Sequence, residues 1–183
     1  MIFASNNKGK IKEIKKIFKD YEILSLNDVN IDIDIIEDGN SYYENALKKA
    51  KKIFELTGIP TIADDSGLEI LGLDRWPNIN THRIHEDDLE RNKTFIEKTK
   101  EIDDKRIEAV CTLVYVDSEK IVEATGTLKG TITDEIYEGN GFGFDKIFKL
   151  ENGKIVSELL EDEKNQISAR SIAARKLLKK LSK

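Results

Sequence analysis

The chain of 183 residues has a single cysteine, Cys111, and only two histidines, His82 and His85. That scarcity excludes a disulfide framework and a zinc cage, both of which need several such ligands. Prolines are equally sparse: Pro60 and Pro77 are the only two. With no Pro/Gly/Ser-rich linker, internal repeat or low-complexity tract, the chain reads as one domain over 1–183, or two lobes sharing a core. No apolar run approaches the roughly 20 residues that span a membrane. The opening Met-Ile-Phe-Ala-Ser-Asn lacks a basic region followed by a long apolar stretch, so a signal peptide is not expected and a reducing, cytoplasmic setting is. An excess of positive charge is also missing. Thirty Lys plus Arg against 35 Asp plus Glu leave a net charge of −5, which argues against a nucleic-acid partner bound through bulk charge.

What is present is a soluble globular composition, 39% hydrophobic and 36% charged. Residues 1–5 read as a buried strand. From Lys8 to Lys19, Ile11, Ile14, Ile17 and Phe18 recur at helical spacing between lysines. Residues 21–26 alternate as a second strand, and Ile31, Ile33 and Ile35 alternate with aspartates as a short edge strand. Ser41-Tyr-Tyr-Glu44 is a capping-box pattern opening a helix to about Leu56. Thr61–Asp64 and Leu68–Leu71 read as two short strands around a turn, and a loop at Trp76-Pro77-Asn78 leads to a helix near Asp87–Lys100. Ile107–Val116 and Ile121–Ile132 form a hairpin over Asp117–Lys120. Phe144–Phe148 is a last strand, Glu158–Glu163 is helical, and Ser168–Leu181 is an amphipathic closing helix. Strand–helix alternation followed by a hairpin predicts an α/β chain with a mixed sheet.

Four segments could carry chemistry. Ser5-Asn6-Asn7-Lys8-Gly9-Lys10 lies between the first strand and the first helix. A helix start offers N–H groups and a positive dipole end, and Lys10 adds a charge, which makes a phosphate seat. The segment lacks the first Gly and the final Ser/Thr of the Gly-x-x-x-x-Gly-Lys-Ser/Thr loop. An ordinary turn with an Asn or Ser cap is the other reading. Ala63-Asp64-Asp65-Ser66-Gly67 follows a strand, and at a turn one carboxylate can reach a cation while the other reaches a water. Hard oxygen ligands without His or Cys imply Mg²⁺, with Glu37 and Glu44 available to complete the site. Against this, the Asp/Gly pair can simply serve turn geometry, and Glu44 can be occupied in its capping box. Asp-Ser-Gly also occurs in aspartic peptidases, where two such loops share a proton.

Gly139-Asn-Gly-Phe-Gly-Phe-Asp145 is not a dinucleotide fingerprint, because its glycine spacing is wrong and a strand follows it. Its glycines let Phe142 and Phe144 stack on a purine, with Asp145 accepting from the base; a β-turn with core phenylalanines fits as well. Glu163–Arg170 ends on one of only six arginines among 30 basic residues, and a forked donor suits a base carbonyl or a phosphate. Lys49 sits in the run Lys48–Lys52, and such a run also fits a solvated face. His82 and His85 read as surface residues, and Cys111 as core.

In order and spacing these segments resemble the inosine triphosphate pyrophosphatase family nearly end to end. The matching positions are Ser5–Lys10, Glu37 with Gly39, Ser41-Tyr-Tyr-Glu44-Asn45-Ala46 with Lys49, Ala63–Leu68, Arg83, Gly141–Asp145, Glu163-Lys164, and Ile167-Ser168 with Arg170. The resemblance implies an elongated, two-lobed α/β homodimer with a mixed central sheet flanked by helices and the active-site cleft between the lobes. It implies Mg²⁺-dependent cleavage of non-canonical purine nucleoside triphosphates (ITP, dITP, XTP) between the α- and β-phosphates. By position, Asp65 resembles the carboxylate that holds Mg²⁺ and activates water, with Glu37 or Glu44 as its metal partner. Lys10 and Lys49, with Asn7 in the Ser5–Lys10 loop, resemble the triphosphate-holding set. Ser66, Phe142, Gly143, Phe144 and Asp145 resemble substrate contacts, with Lys164 and Arg170 around the base.

Three positions depart from the family pattern. Ala169 stands where the family has His before the arginine, which removes a donor near the purine 6-oxo group. A charge-assisted hydrogen bond is worth about 1.5–3 kcal/mol, so the preference for inosine and xanthosine triphosphates is expected to weaken. Asn78 replaces a glycine after Pro77, with a reshaped lobe as one expectation, and Lys146 replaces a proline after Asp145. Two other functions fit less well: a nucleotide-binding module that has lost turnover, against which Asp65, Lys10 and Lys49 argue, and an aspartic peptidase, which would leave Lys10, Lys49 and Phe142–Asp145 unexplained.

Overall fold

The computed structural model describes residues 1–182 of the chain. Its elements follow in the order β1 (Ile2–Phe3), α1 (Lys8–Ile17), α2 (Tyr42–Thr57), β2 (Thr61–Ile70), β3 (Trp76–Asn78), α3 (Asp88–Thr99), β4 (Arg106–Val116), β5 (Ile121–Ile132), β6 (Phe148–Lys149), α4 (Glu161–Ile167) and α5 (Ala169–Leu181). The strands form one mixed sheet in the order β1-β2-β4-β5-β6, with β3 beside β2. β1 runs parallel to β2, Ile2 opposite Thr61, whereas β3 is antiparallel to β2, Leu68 opposite Asn78. The α/β class and mixed sheet expected from the pattern are therefore present. No helix among the described residues is long and apolar enough to cross a membrane.

The chain divides into two compact units. The first comprises Met1–Ser66, Cys111–Gly126 and the segment from Ala169 on; the second comprises Gly67–Val110 and Thr127–Ser168. In the first unit Ile2, Ala4, Ala63, Val114 and Val116 form a core with Ala46, Ala50 and Ile53 of α2. The two alanines, one turn apart, bring α2 close to the sheet. At the start of α2, Ser41 Oγ accepts the Glu44 N–H at 3.1 Å, and Glu44 Oε2 accepts the Asn40 N–H at 2.7 Å. Gly58 ends the helix at φ +67°, in the left-handed region where a side chain is strained.

Gly126 in β5 sets the approach of α5. A Cβ there would lie 2.1 Å from the Ala169 carbonyl oxygen and 2.6 Å from Ala173 N. Because both obstacles are backbone, Gly126→Ala is expected to destabilise by about 1–3 kcal/mol, read as a lowered melting temperature.

Several elements differ from the sequence expectations. The strand expected at 21–26 is a single parallel bridge, Ile2 with Leu24. Ile31, Ile33 and Ile35 do alternate inward, but against the side-chain core beside α2 and without strand partners. Their period of two reports docking of an extended segment, not ladder formation. The two short strands around Asp64–Gly67 are one continuous strand, β2. In the second unit the strand expected over Phe144–Phe148 begins with a 3₁₀ turn at Asp145–Ile147, leaving only Phe148–Lys149 extended. Positive φ at Gly141 (+94°) and Gly143 (+65°) curls the chain ahead of it. The helix expected at Glu158–Glu163 is shifted to α4 and preceded by a 3₁₀ turn at Val156–Glu158. In α3 of the same unit Phe95 is fully buried, with the Trp76 ring edge-on at 5.7 Å.

Asn78 answers one departure from the family pattern. It adopts φ +57°, the left-handed conformation a glycine would supply, and Asn tolerates that region better than most residues. Its Oδ1 accepts the Ile79 N–H at 2.7 Å and its Nδ2 donates to Glu69 Oε1 at 3.2 Å. The substitution keeps the local backbone that the glycine would allow.

Candidate active site

The chemistry of the first unit is organised by β2. Successive side chains of a strand point to opposite faces, so adjacent carboxylates part company. Ala63 packs into the core formed with α2, and Asp65, two residues on, shares that side: its Oδ2 accepts from Asn45 Nδ2 of α2 at 2.9 Å. Asp65 Oδ1 accepts the Ser66 N–H at 2.8 Å. Asp64 and Ser66 take the other side, where both meet Arg170 of α5. A turn is thus not needed to separate the two carboxylates; the extended backbone does it. The peptidase reading, which needs Asp-Ser-Gly in a loop, loses its geometry.

On the Asp64 side, one carboxylate oxygen receives Lys10 Nζ at 3.0 Å and Arg170 Nη2 at 3.0 Å. Arg170 Nη1 pairs with Glu13 Oε2 at 2.9 Å, and Nη2 also donates to Ser66 Oγ at 3.2 Å. Asp64, Glu13 and Arg170 are all buried. Burial alone would raise the Asp64 pKa, but Lys10, Arg170 and Lys49 outweigh it and hold the carboxyl well below the usual carboxylate range. Cys111, the expected core residue, is buried with its thiol 4.0 Å from Asp64 Oδ2; burial pushes its pKa up to about 12.

Asp65 has the opposite character. Burial pushes its pKa up to about 6; Lys49 and the Asn45 bond pull against this, while Glu37 and Asp64 add to it. Lys49 Nζ pairs with Glu37 Oε1 at 3.1 Å. Burial disfavours the Lys49 ammonium, yet Asp64, Glu37 and Asp65 prevail and raise its pKa above the ordinary value. Two carboxylates, Asp65 and Glu37, therefore share one region with a single buried lysine. No group of three or more His, Cys, Asp or Glu among the described residues is arranged to hold a metal by itself. The donors are hard oxygens, and Mg²⁺ is commonly held by one or two carboxylates together with substrate phosphates. The residues fit a cation shared with phosphate and do not form an all-protein cage.

The Ser5–Asn7 loop before α1 serves turn geometry with its oxygens. Ser5 Oγ accepts the Asn7 N–H at 3.1 Å, Asn6 Oδ1 accepts the Asn27 N–H at 2.9 Å, and Asn7 Oδ1 caps α1 through the Lys10 N–H at 3.1 Å. Lys8, Gly9 and Lys10 form the first helical turn, with the Lys10 side chain turned to Asp64. Glu44, weighed as a metal ligand, has a capping role through Asn40, leaving Glu37 as the acid beside Lys49.

In the second unit Lys164 Nζ lies 4.1 Å from the Phe142 ring centroid and 2.6 Å from Asp145 Oδ2. The same oxygen accepts the Phe142 N–H at 2.8 Å. Gly141 is required at this spot, since a Cβ would stand 2.2 Å from Asp145 Oδ2. Phe144 turns away to Phe148, with ring centroids 6.3 Å apart. Arg170, expected beside the base with Lys164, belongs to the first unit, and its fork is engaged by Asp64, Glu13 and Ser66. His82, Arg83 and His85 are exposed.

Sequence reasoning missed Glu13 and the work of Asn45. Glu13 is the only acid among the lysines of α1 and sits beside the apolar Ile14, a signal that it answers a buried cation. Asn45 both holds Asp65 and accepts the Gly39 N–H at 2.8 Å. Nothing in its local spacing announces either partner.

Comparison with known proteins agrees with this architecture. The model of the Ham1 family matches residues 1–180. A dITP/XTP pyrophosphatase of Clostridium perfringens is 40% identical, covering 96% of this chain and 94% of that protein. One of Staphylococcus epidermidis is 35% identical, covering 97% and 93%. Among solved structures, the Staphylococcus aureus Ham1 protein superposes with a TM-score of 0.89 at 33% identity, covering 99% of this chain and 97% of that one. A HAM1 protein from Coxiella burnetii gives the same TM-score at 30% identity, with the same coverage. With the family model matched over residues 1–180 and these relatives and structures in agreement, the chain belongs to the Ham1 family, the inosine triphosphate pyrophosphatase family that its motifs resemble.

Proposed function

We propose that this protein hydrolyses non-canonical purine nucleoside triphosphates (ITP, dITP and XTP) to nucleoside monophosphate and pyrophosphate, with Mg²⁺ as cofactor. The observation that carries the reading is the division of labour on β2. Asp64 is kept ionised between Lys10 and Arg170, while Asp65 stands at about 6 beside Glu37 and Lys49. The relatives named dITP/XTP pyrophosphatases support the substrate class.

Phosphoryl transfer requires positioning and charge neutralisation more than covalent chemistry. Lys10, Lys49 and the first turn of α1, capped by Asn7, are the cationic set for the triphosphate. Mg²⁺, when held by Asp65 and Glu37 with the phosphates, would neutralise the charge that develops as the bond breaks. The Asp65 carboxylate aims the attacking water and takes its proton at the oxygen that Asn45 holds in place. Phe142, Gly143 and Asp145, with Lys164, are the set for the purine, and Ser66 lies beside the phosphates. Arg170 acts through Asp64 and Ser66 as a positioning residue. The same reading makes the protein a cytoplasmic homodimer acting on free nucleotides, with neither nucleic acid nor membrane as partner.

The test is to incubate purified protein and Mg²⁺ with inosine, xanthosine, guanosine and adenosine triphosphates, assaying pyrophosphate and orthophosphate separately. Pyrophosphate from the first two, abolished by EDTA, is the expected result. With Ala169 in the position of the family histidine, the margin over guanosine triphosphate is expected to narrow by about 10–150-fold. Orthophosphate in place of pyrophosphate, or no product from any of the four, overturns the reading.

A further inference from the structure

The second unit holds a feature that the proposed reaction does not use directly. Residues Asp88 and Asn92, one turn apart on α3, grip one residue of the Phe142 loop from both sides of its backbone. Asp88 Oδ2 accepts the Gly143 N–H at 2.7 Å, and Asn92 Nδ2 donates to the Gly143 carbonyl at 2.9 Å. Arg91, between them in sequence, fixes this clamp: its Nη2 pairs with Asp88 Oδ1, and its Nη1 donates to the His85 carbonyl at 2.5 Å. Gly143 itself sits at φ +65° with open space where a Cβ would be. The loop's left-handed bend is thus not enforced by crowding, and the two hydrogen bonds tie its backbone to α3.

The clamp comes at a cost in stability. Asn92 is 1% exposed, yet its Oδ1 has no hydrogen-bond partner, and the same holds for Nε of the buried Arg91. A buried acceptor without a partner is destabilising, and an apolar side chain of similar size would remove that cost. What asparagine supplies is the donor to Gly143, one residue from the ring that Lys164 covers and two from Asp145.

We propose that Asp88 and Asn92 are positioning residues for base recognition: they hold the Gly143 peptide so that Phe142 and Asp145 are preset for the purine. This rests on the reading above, in which the Phe142–Asp145 loop takes the base. Preorganising a loop strengthens binding by removing the ordering cost from the binding step. Neither residue touches the phosphates in that reading, so the effect falls on KM and not on kcat.

Asn92→Leu and Asp88→Ala are compared with the wild type for pyrophosphate release from inosine triphosphate, for melting temperature, and for inhibition by inorganic triphosphate, which has no base. Loss of one such hydrogen bond is expected to raise KM about tenfold, with kcat within twofold and inhibition by inorganic triphosphate unchanged. Asn92→Leu loses both an unpartnered acceptor and the donor to Gly143, so it is expected to melt within about 4 °C of the wild type, and a tenfold rise in KM beside that separates positioning from folding. Asp88→Asn, which retains an acceptor for the Gly143 N–H, is expected to recover most of the loss of Asp88→Ala. An unchanged KM in both Asn92→Leu and Asp88→Ala, or a loss that follows melting temperature and weakens inorganic triphosphate equally, overturns the proposal. A wild type that releases no pyrophosphate overturns instead the reading beneath it.

Discussion

Asp65→Asn is expected to lower kcat for pyrophosphate release by about 10²–10⁴-fold, the range for removing a positioned general base. The same substitution is expected to act in the opposite sense on folding. Asp65 titrates at about 6 in the folded chain against a reference value of 3.8. The folded state therefore binds the proton more tightly than the unfolded state, and the favourable contribution is complete below pH 3.8. It is lost as the pH rises through the folded value near 6, and each pKa unit is worth about 1.4 kcal/mol. Between pH 4 and pH 7, in the absence of divalent metal, the stability difference is expected to shift in favour of the asparagine variant by up to about 3 kcal/mol. The asparagine amide meets donors at both Asn45 Nδ2 and Ser66 N, so a constant penalty is superimposed. The pH trend isolates the carboxylate from that penalty. Denaturant melts of both proteins at several pH values check this: parallel stability profiles would mean that Asp65 carries no raised pKa. Retained turnover would remove it from the role of base and favour nucleotide binding without catalysis.

The difference between Asp64 and Asp65 also marks where sequence reading stops. Helix α2 was legible because its information is local: Ser41 and Glu44 lie within one turn of each other, and the cap they make is the cap observed. The hairpin was legible for the same reason, since residues 117–120 join two runs of clear strand character. Asp64-Asp65-Ser66-Gly67 misled because Asp, Ser and Gly favour turns in isolation, whereas here Lys10, Arg170 and Asn45 satisfy the two carboxylates inside a strand. Those partners come from up to 106 residues away, and no window along the chain contains them. Ile31–Ile35 misled in the reverse sense: alternation records which side chains are buried, not whether the backbone has a partner. The motifs of the site were visible as residues. Which face of β2 each one served was visible only once the strand was continuous.

The second large effect lies on the Asp64 face. Replacing Arg170 with methionine leaves two buried carboxylates, Asp64 and Glu13, short of the cation that joins them. Breaking a buried ion pair from one side costs about 3–5 kcal/mol. For a chain of this length that corresponds to a fall in melting temperature of about 6–20 °C. Asp64 is not left wholly uncompensated, because Lys10 remains at 3.0 Å, whereas Glu13 loses its pairing with Arg170 Nη1. Acid sensitivity follows with a definite sign. The folded Asp64 pKa lies below its reference value of 3.8, so its contribution to stability is present above pH 3.8 and is lost as the pH falls below it. Arg170→Met is expected to flatten that acid limb, because one of the three charges holding the Asp64 pKa down has gone. Asp64→Asn should destabilise as well, by leaving Arg170 and Lys10 facing a neutral amide. Combined, the two substitutions are expected to cost less than their sum, by about 0.5–3 kcal/mol, since the second removes a charge that the first had already stranded. Strict additivity in that cycle would mean that Arg170 stabilises the fold by packing alone, and the charge network on this face of β2 would lose its assigned role.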